Sequence, residues 1–350
     1  MPKLRVAAFG TGFFSHYHYD GWNRINDVEL VGICVNSNRA RAEEFAQRYG
    51  VAAVFTDPGQ MLDETRPDLV DIITTPESHA ALVGLAAERG IAAICQKPLA
   101  PTLDEAREMI RVVEDAAMLL VAHENWRFKP WNRELARLLH DGAVGEPFNI
   151  SFRMRPGDGQ GESAYLDRQP YFQQMPRFMV YETGVHTIDV FRYLMGEMSG
   201  VFAKLRRLNP AIKGEDAGLL VFAFENGAAG VLDANRLADF QAKNPRLTMG
   251  ELLVDGSDGS IRLDGDGRLF YRKRSGQERE HAYIWHDRGY AGDCVHALQA
   301  HVVEHLLRGA PIENTGREYL RNVEIVEAVY QSAAEERWIA LPGAEAAAQG

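Results

Sequence analysis

The first 123 residues alternate short apolar runs with stretches of helical periodicity, and no other feature restricts the fold as much. The runs at 5–9, 29–35, 69–74, 92–95 and 119–123 are brief and almost continuously apolar. Strands of that kind are covered on both faces, which is the condition of a parallel sheet lying between helices. The intervening segments 15–25, 39–49, 79–89 and 102–116 supply the crossovers, and the last opens on a capping box, Thr102-x-x-Glu105. Strand and helix at this spacing predict a doubly wound α/β domain.

Beyond His123 the rhythm changes. A helix is expected at 131–141, a strand at 148–154, a polar glycine-rich loop at 156–161 and a helix at 183–195. Strand-like runs follow at 201–208, 218–225, 228–234, 246–255 and 260–271. Strands so closely spaced have no room for crossover helices, so the second domain is expected to be α+β with a mostly antiparallel open sheet. Helices at 291–307 and 317–337 complete it. The predicted organisation is a Rossmann domain at 1–123, a substrate-binding and oligomerisation domain at 124–342, and an Ala/Gly/Gln-rich tail at 343–350 that frays.

Gly10-Thr11-Gly12-Phe13-Phe14-Ser15 joins the first strand to the first helix. Gly10 permits the tight turn, Gly12 lets the backbone approach a pyrophosphate at the helix N-terminus, and Ser15 stands where a third glycine is usual. An ordinary glycine-containing βα turn is the competing reading. The second strand ends Cys34-Val35-Asn36-Ser37-Asn38-Arg39, without the carboxylate that holds the ribose hydroxyls of NAD. Ser37 and Asn38 are donors, and Arg39 and Arg41 are suited to a 2′-phosphate. The expected cofactor is therefore NAD(P), with NADP(H) slightly favoured over NAD(H).

Ligands of an open α/β sheet lie beyond the carboxyl ends of its strands. Thr75-Pro76-Glu77-Ser78-His79 and Gln96-Lys97-Pro98 both occupy such ends, so Thr75, Pro76, His79, Gln96 and Lys97 join the expected cofactor contacts. The Lys97 ammonium can hold a reacting carbinol oxygen and favour alkoxide development. Glu182, His186 and Asp189 are spaced to share one helical face. His186 is the candidate general base and Glu182 the residue that orients substrate or tunes the imidazole. Asp189 is expected to anchor the helix through a salt bridge. Glu182 and His186 lack an obvious third ligand, so no metal is expected. Trp126, Arg127, Arg153, Asp158 and Tyr181 are the expected substrate contacts, with Arg168 and Tyr171 nearby. Aromatic faces pack against sugar C–H surfaces and guanidinium groups bind hydroxyls.

The net charge of −11 argues against nucleic acid and anionic membranes as partners, and suits a small neutral substrate. Cys34, Cys95 and Cys294 are few and odd in number, as in a reducing compartment. No run approaches the roughly 18 apolar residues of a spanning helix, so a cytoplasmic protein is expected.

These segments together resemble the glucose-fructose oxidoreductase and inositol dehydrogenase family, Gfo/Idh/MocA. The glycine turn, Thr75-Pro-x-x-His79, Lys97-Pro98 and Glu182-x-x-x-His186 occur in the family's order along nearly the whole chain. The resemblance implies that Lys97 and His186 are the catalytic lysine and histidine, and that Glu182 stands for an acidic residue usually present as Asp. Gln96 replaces the Glu that commonly precedes the Lys-Pro pair, removing a carboxylate partner for Lys97. Segments 123–128 and 155–159 resemble a subgroup containing pentose dehydrogenases. The resemblance also implies a homodimer or homotetramer through the second-domain sheet, whose run Leu219-Leu-Val-Phe-Ala-Phe224 calls for cover on both faces. The leading expectation is hydride transfer between nicotinamide and a sugar or polyol hydroxyl, either a lactol or a secondary alcohol. Two alternatives stay open: an NAD-dependent glycosidase acting by transient oxidation and elimination, and a non-catalytic dinucleotide sensor.

Overall fold

The computed structural model describes residues 3–343; the rest of the expected frayed tail lies outside them. The chain divides into two compact units. In the first, β1 (Leu4–Phe9), α1 (Ser15–Asn23), β2 (Val28–Cys34), α2 (Arg39–Tyr49), β3 (Val54–Phe55), α3 (Pro58–Thr65), β4 (Leu69–Ile72), α4 (His79–Ala87), β5 (Ala92–Gln96), α5 (Leu103–Asp115) and β6 (Leu120–His123) follow in order. The strands form one sheet ordered β3-β2-β1-β4-β5-β6, with every pair parallel. Val6, Ala7 and Ala8 are wholly buried, as a central strand between helices requires. The order reverses between β1 and β4, which places the ligand crevice of such a sheet beside the β1–α1 turn. Thr102 caps α5 by accepting the Glu105 N–H at 3.2 Å, as the capping box predicts. Apolar periodicity does not announce β3 or α3; the local signal for α3 is the Asp57 cap followed by Pro58.

The second unit contains α6 (Pro130–His140), β7 (Pro147–Met154), α7 (Val185–Met195), β8 (Met198–Arg206), β9 (Ala217–Phe224), β10 (Ala229–Asn235), α8 (Pro245–Thr248), β11 (Gly250–Gly256), β12 (Gly259–Leu263), β13 (Leu269–Lys273) and β14 (Arg279–His281). With a final short strand, they make a nine-stranded sheet in which only β7 and β10 pair in parallel. Ile150, Phe152 and Met154 of β7 face the core, while Asn149 and Arg153 alternate outward. Two predicted strands are shorter than expected. The run 246–255 begins as the turn α8, because Asn244 caps it and Pro245 sets its first residue. The run 260–271 is a hairpin, β12 and β13, broken at Asp264-Gly-Asp-Gly267, where Gly267 takes φ +77°.

The remaining elements are α9 (Cys294–Arg308), α10 (Gly316–Glu335) and β15 (Ile339–Ala340). Segment 293–323, expected in the second domain, belongs to the first unit, so the predicted boundaries need correction there. The reason is packing that the sequence does not display. Arg24 of α1 holds Asp293 through bonds of 2.6 and 2.5 Å, and the Gln299 amide donates to the His18 carbonyl at 3.1 Å. The Asn314 carbonyl accepts from the Ala122 N–H at 2.8 Å, extending the edge of β6. From Glu324 onward the chain is part of the second unit.

Candidate functional site

In the first unit, Gly10 has φ +101°, and a Cβ there would meet the Ile73 carbonyl oxygen at 3.1 Å, so the turn requires glycine. At Gly12 a Cβ would meet nothing nearer than Ser15 Oγ at 3.9 Å. Open space at that point lets a ligand lie against the backbone. Ser15 Oγ is buried and has no hydrogen-bond partner among the described residues. No side chain caps α1 and its first turn holds no acid, so its leading N–H groups and helix dipole favour an anion. An unsatisfied hydroxyl, an uncapped helix N-terminus and a bare glycine backbone together fit a dinucleotide pyrophosphate. Thr11 is buried beside them, Phe14 is partly buried and Phe13 is exposed. At the end of β2, Asn36 and Ser37 are exposed. Asn38 caps α2 by accepting the Arg41 N–H at 3.0 Å, and Arg39 pairs with Glu43 at 2.9 Å.

The loops after β4 and β5 are tied together by His79, so its role differs from the expected cofactor contact. The ring is fully buried. Nδ1 lies 3.1 Å from the carbonyl oxygens of Pro98 and Leu99, and Nε2 lies 3.1 Å from that of Thr74. Burial draws its pKa down, against the effect of those carbonyls. Because both nitrogens meet backbone, His79 braces the loop that carries Lys97 and its cis bond to Pro98. Thr75 and Pro76 enter the turn Pro76–Ser78 at the mouth of that loop. The Gln96 side chain also turns inward, toward His18 at 2.9 Å. It thereby joins a buried network with His18 and Asp71.

The second unit holds a cavity open to solvent, lined by residues that include Trp126, Asp158, Arg168, Glu182, His186 and Arg236. Trp126 stacks on the His186 ring, with centroids 4.7 Å apart and planes 3° from parallel. Lys129, buried beside them, places Nζ 3.4 Å from the Trp126 ring centroid. Asp189 anchors α7 as predicted, through bonds of 2.6 and 2.8 Å to Arg127. Residues Met179–Gly184 are a π-helical turn preceding α7. Its wider winding removes the strict one-face relation expected for Glu182 and His186, yet both side chains line the same cavity.

The cavity's charges are closely paired. Arg236 donates to Asp158 at 3.1 and 2.8 Å and to Thr183 Oγ1 at 2.8 Å, and its Nη1 lies 3.4 Å from Glu182. Its guanidinium lies over the Tyr165 and Phe178 rings at 5.0 and 4.8 Å and is only 2% exposed. Asp158 also accepts from Arg168 at 2.6 Å and from the Tyr165 hydroxyl at 3.2 Å. Burial would raise the Asp158 carboxyl, but Arg236 and then Arg168 outweigh it and hold it below the usual carboxylate range. The Glu182 carboxylate accepts from the Thr183 hydroxyl. This arrangement presents fixed donors, acceptors and one flat aromatic wall to a polyhydroxylated ligand.

Three expected contacts lie elsewhere. Arg153 is on the sheet face opposite Phe152 and approaches Glu251 at 3.7 Å, because strand alternation turns it outward. Arg127 is occupied by Asp189 and stacked over Tyr193 at 5.2 Å. Tyr181 interacts with Arg177, outside the residues that line the cavity. Tyr171 is exposed, at the edge of a short 3₁₀ turn. Sequence reading missed Arg236, Arg246 and Tyr290. The only local signal for Arg236 is a charge at the first position past the alternating strand β10.

Residues 4–123 match the family model described as an oxidoreductase family with an NAD-binding Rossmann fold, and residues 132–262 match a GFO/IDH/MocA C-terminal domain. The chain is 36% identical to a D-apiose dehydrogenase of Paraburkholderia graminis, over 99% of this chain and 92% of that protein. It is 31% identical to a D-apiose dehydrogenase of Rhizobium rhizogenes, over 97% and 98% respectively. A solved oxidoreductase from Agrobacterium radiobacter, in complex with NAD+, L-tartaric acid and magnesium, superposes with a TM-score of 0.87 at 31% identity. That match covers 97% of this chain and 98% of the other.

Proposed function

The chain belongs to the Gfo/Idh/MocA family of oxidoreductases, and from that membership we propose that it oxidises a pentose, D-apiose first among them, with a nicotinamide dinucleotide. The observation that carries this reading is the second-unit cavity, in which His186 stands against Trp126 among paired carboxylates and guanidiniums. The full-length similarity to two D-apiose dehydrogenases supports the choice of sugar.

When bound, the dinucleotide supplies the nicotinamide carbon that accepts hydride. Gly10, Thr11, Gly12, Phe13, Phe14 and Ser15 would hold its pyrophosphate side, with Thr75 and Pro76 at the adjoining strand end. His186 takes the hydroxyl proton, and the Lys97 ammonium holds the same oxygen as negative charge develops on it. Glu182, fixed by Thr183 and Arg236, orients the sugar. Asp158, Arg168 and Arg236 present fixed hydrogen-bonding groups to its other hydroxyls. The 36–41 segment favours NADP(H) slightly through Arg39 and Arg41, while Glu43 competes for Arg39. Leu219, a large apolar residue exposed on the outward face of the second sheet, supports assembly into a homodimer or homotetramer through that sheet. Among the described residues no helix is long and apolar enough to cross a membrane.

The test is formation of reduced cofactor, followed by its near-ultraviolet absorbance, with D-apiose and a sugar and polyol panel against NAD+ and NADP+. Lys97→Ala and His186→Ala should each lower kcat about 10²-fold with dinucleotide affinity retained. Near-wild-type rates in both would reject the assignment. Turnover without net cofactor reduction would instead point to a glycosidase using transient oxidation.

A further inference from the structure

Beneath Lys97, within the first unit, lies a buried polar chain that the proposed chemistry does not use. His18 of α1 places Nδ1 2.8 Å from Asp71 Oδ2 on β4, and its Nε2 lies 2.9 Å from the carboxamide nitrogen of Gln96 on β5. The same nitrogen lies 3.4 Å from Nδ1 of His123 on β6. The Lys97 backbone N–H donates to Gln96 Oε1 at 3.1 Å, and the Trp22 indole donates to Asp71 Oδ2 at 2.7 Å. His18 and Asp71 are completely buried.

One obligatory donor assigns every proton in this chain. A backbone N–H can only donate, so the atom of Gln96 facing Lys97 is the carboxamide oxygen. The amide NH2 then faces His18, whose Nε2 must accept. The His18 proton therefore sits on Nδ1 and points at Asp71, and the ring is neutral. The stacking of His18 on His123, with centroids 4.1 Å apart, agrees, because two imidazolium rings at that separation would repel.

The surrounding elements present few other titrating groups. Burial raises the Cys95 thiol of β5 and the Tyr19 phenol of α1, with Asp71 adding to both, so each keeps its proton. From α9 the neutral amide of Gln299 bonds to the His18 carbonyl, and His296 of the same helix packs against α1 at Gly21. Burial would also raise Asp71, but the hydrogen bonds it accepts from His18 Nδ1 and the Trp22 indole act against that rise.

We propose that Asp71, His18 and Gln96 form a positioning strut for Lys97, a polarised chain running from a buried carboxylate through a neutral imidazole to the carboxamide that receives the lysine's own N–H. The strut rests on the reading of Lys97 as the group that holds the reacting oxygen. It gives a reason for glutamine at position 96. A carboxylate there has no hydrogen to offer His18 Nε2 and would draw a second proton onto the ring, setting an imidazolium between two acids. Gln96, His18 and Asp71 are positioning residues, since each acts through the next.

Imidazole nitrogen NMR of the full chain tests the strut without turnover. Wild type should show the His18 proton on Nδ1 and none on Nε2. Gln96→Glu should place a second proton on Nε2, with NAD+ binding retained. Gln96→Met, of similar length but unable to donate or accept these bonds, should lower kcat about 10²-fold for the pentose proposed above while leaving its KM and NAD+ affinity within a factor of about two. A His18 imidazolium in wild type, or an unchanged neutral His18 in Gln96→Glu, overturns the proposal. So does a wild-type kcat in Gln96→Met alongside an inactive Lys97→Ala. A wild-type rate in Lys97→Ala overturns the functional reading, and the strut's catalytic role with it, even when the His18 tautomer is as expected.

Discussion

Replacing Arg236 by Met tests whether the second-unit cavity is built around a buried ion triad. The methionine matches the arginine's length and fills the space against Tyr165, Phe172 and Phe178, so loss of packing is small and loss of charge dominates. Asp158, 15% exposed, would keep Arg168 and the Tyr165 hydroxyl but lose two bonds from Arg236. Breaking one side of a buried pair typically destabilises by about 3–5 kcal/mol, and the retained Arg168 places this case near the lower end, about 3 kcal/mol. For a unit of this size that is a fall in Tm of roughly 6–12 °C. Urea unfolding followed by fluorescence measures it.

The pH dependence gives an independent check on the same pair. The Asp158 carboxyl is depressed in the folded protein, so the pair helps folding above the unfolded-state value of about 3.9. That help is lost as pH falls through the lower folded value. The difference between wild type and Arg236→Met should therefore be full at neutral pH and shrink below about pH 4. A loss under about 1 kcal/mol at pH 7, or a difference that grows on acidification, would refute the argument.

Other expectations follow from single contacts. Gly12→Ala should fold as wild type, because its Cβ enters open space, yet weaken dinucleotide binding at least about 10-fold by standing between backbone and pyrophosphate; calorimetric titration with NAD+ reads this, and unchanged affinity would remove the turn from the cofactor site. Glu43→Ala should raise the NADP+ to NAD+ ratio of kcat/KM by releasing Arg39, and an unaltered ratio would show that Arg39 does not meet a 2′-phosphate. Light scattering at micromolar concentration should find a dimer or tetramer, and a monomer would count against association through the second sheet.

The first sheet was legible because each parallel strand is covered on both faces and must be apolar throughout, a signal that survives without knowledge of its neighbours. The Thr102 cap was legible because its partner, Glu105, stands three residues away. Arg153 was misplaced because strand alternation gives two faces without saying which one meets the cavity. Segment 293–323 was placed with the wrong unit because what holds it, Asp293 on Arg24 and Gln299 on His18, spans hundreds of residues. Glycines, Lys97-Pro98 and Glu182-x-x-x-His186 carried the kind of chemistry, since they are residue types at short spacing. The partners of those residues were decided only by the tertiary structure. Arg236 reaches Asp158 and Glu182, and Gln96 reaches His18 and Asp71, through bonds between segments far apart in the chain. Local sequence encodes propensity and pattern, whereas a charge or proton acquires its role from whichever group long-range packing brings within bonding distance.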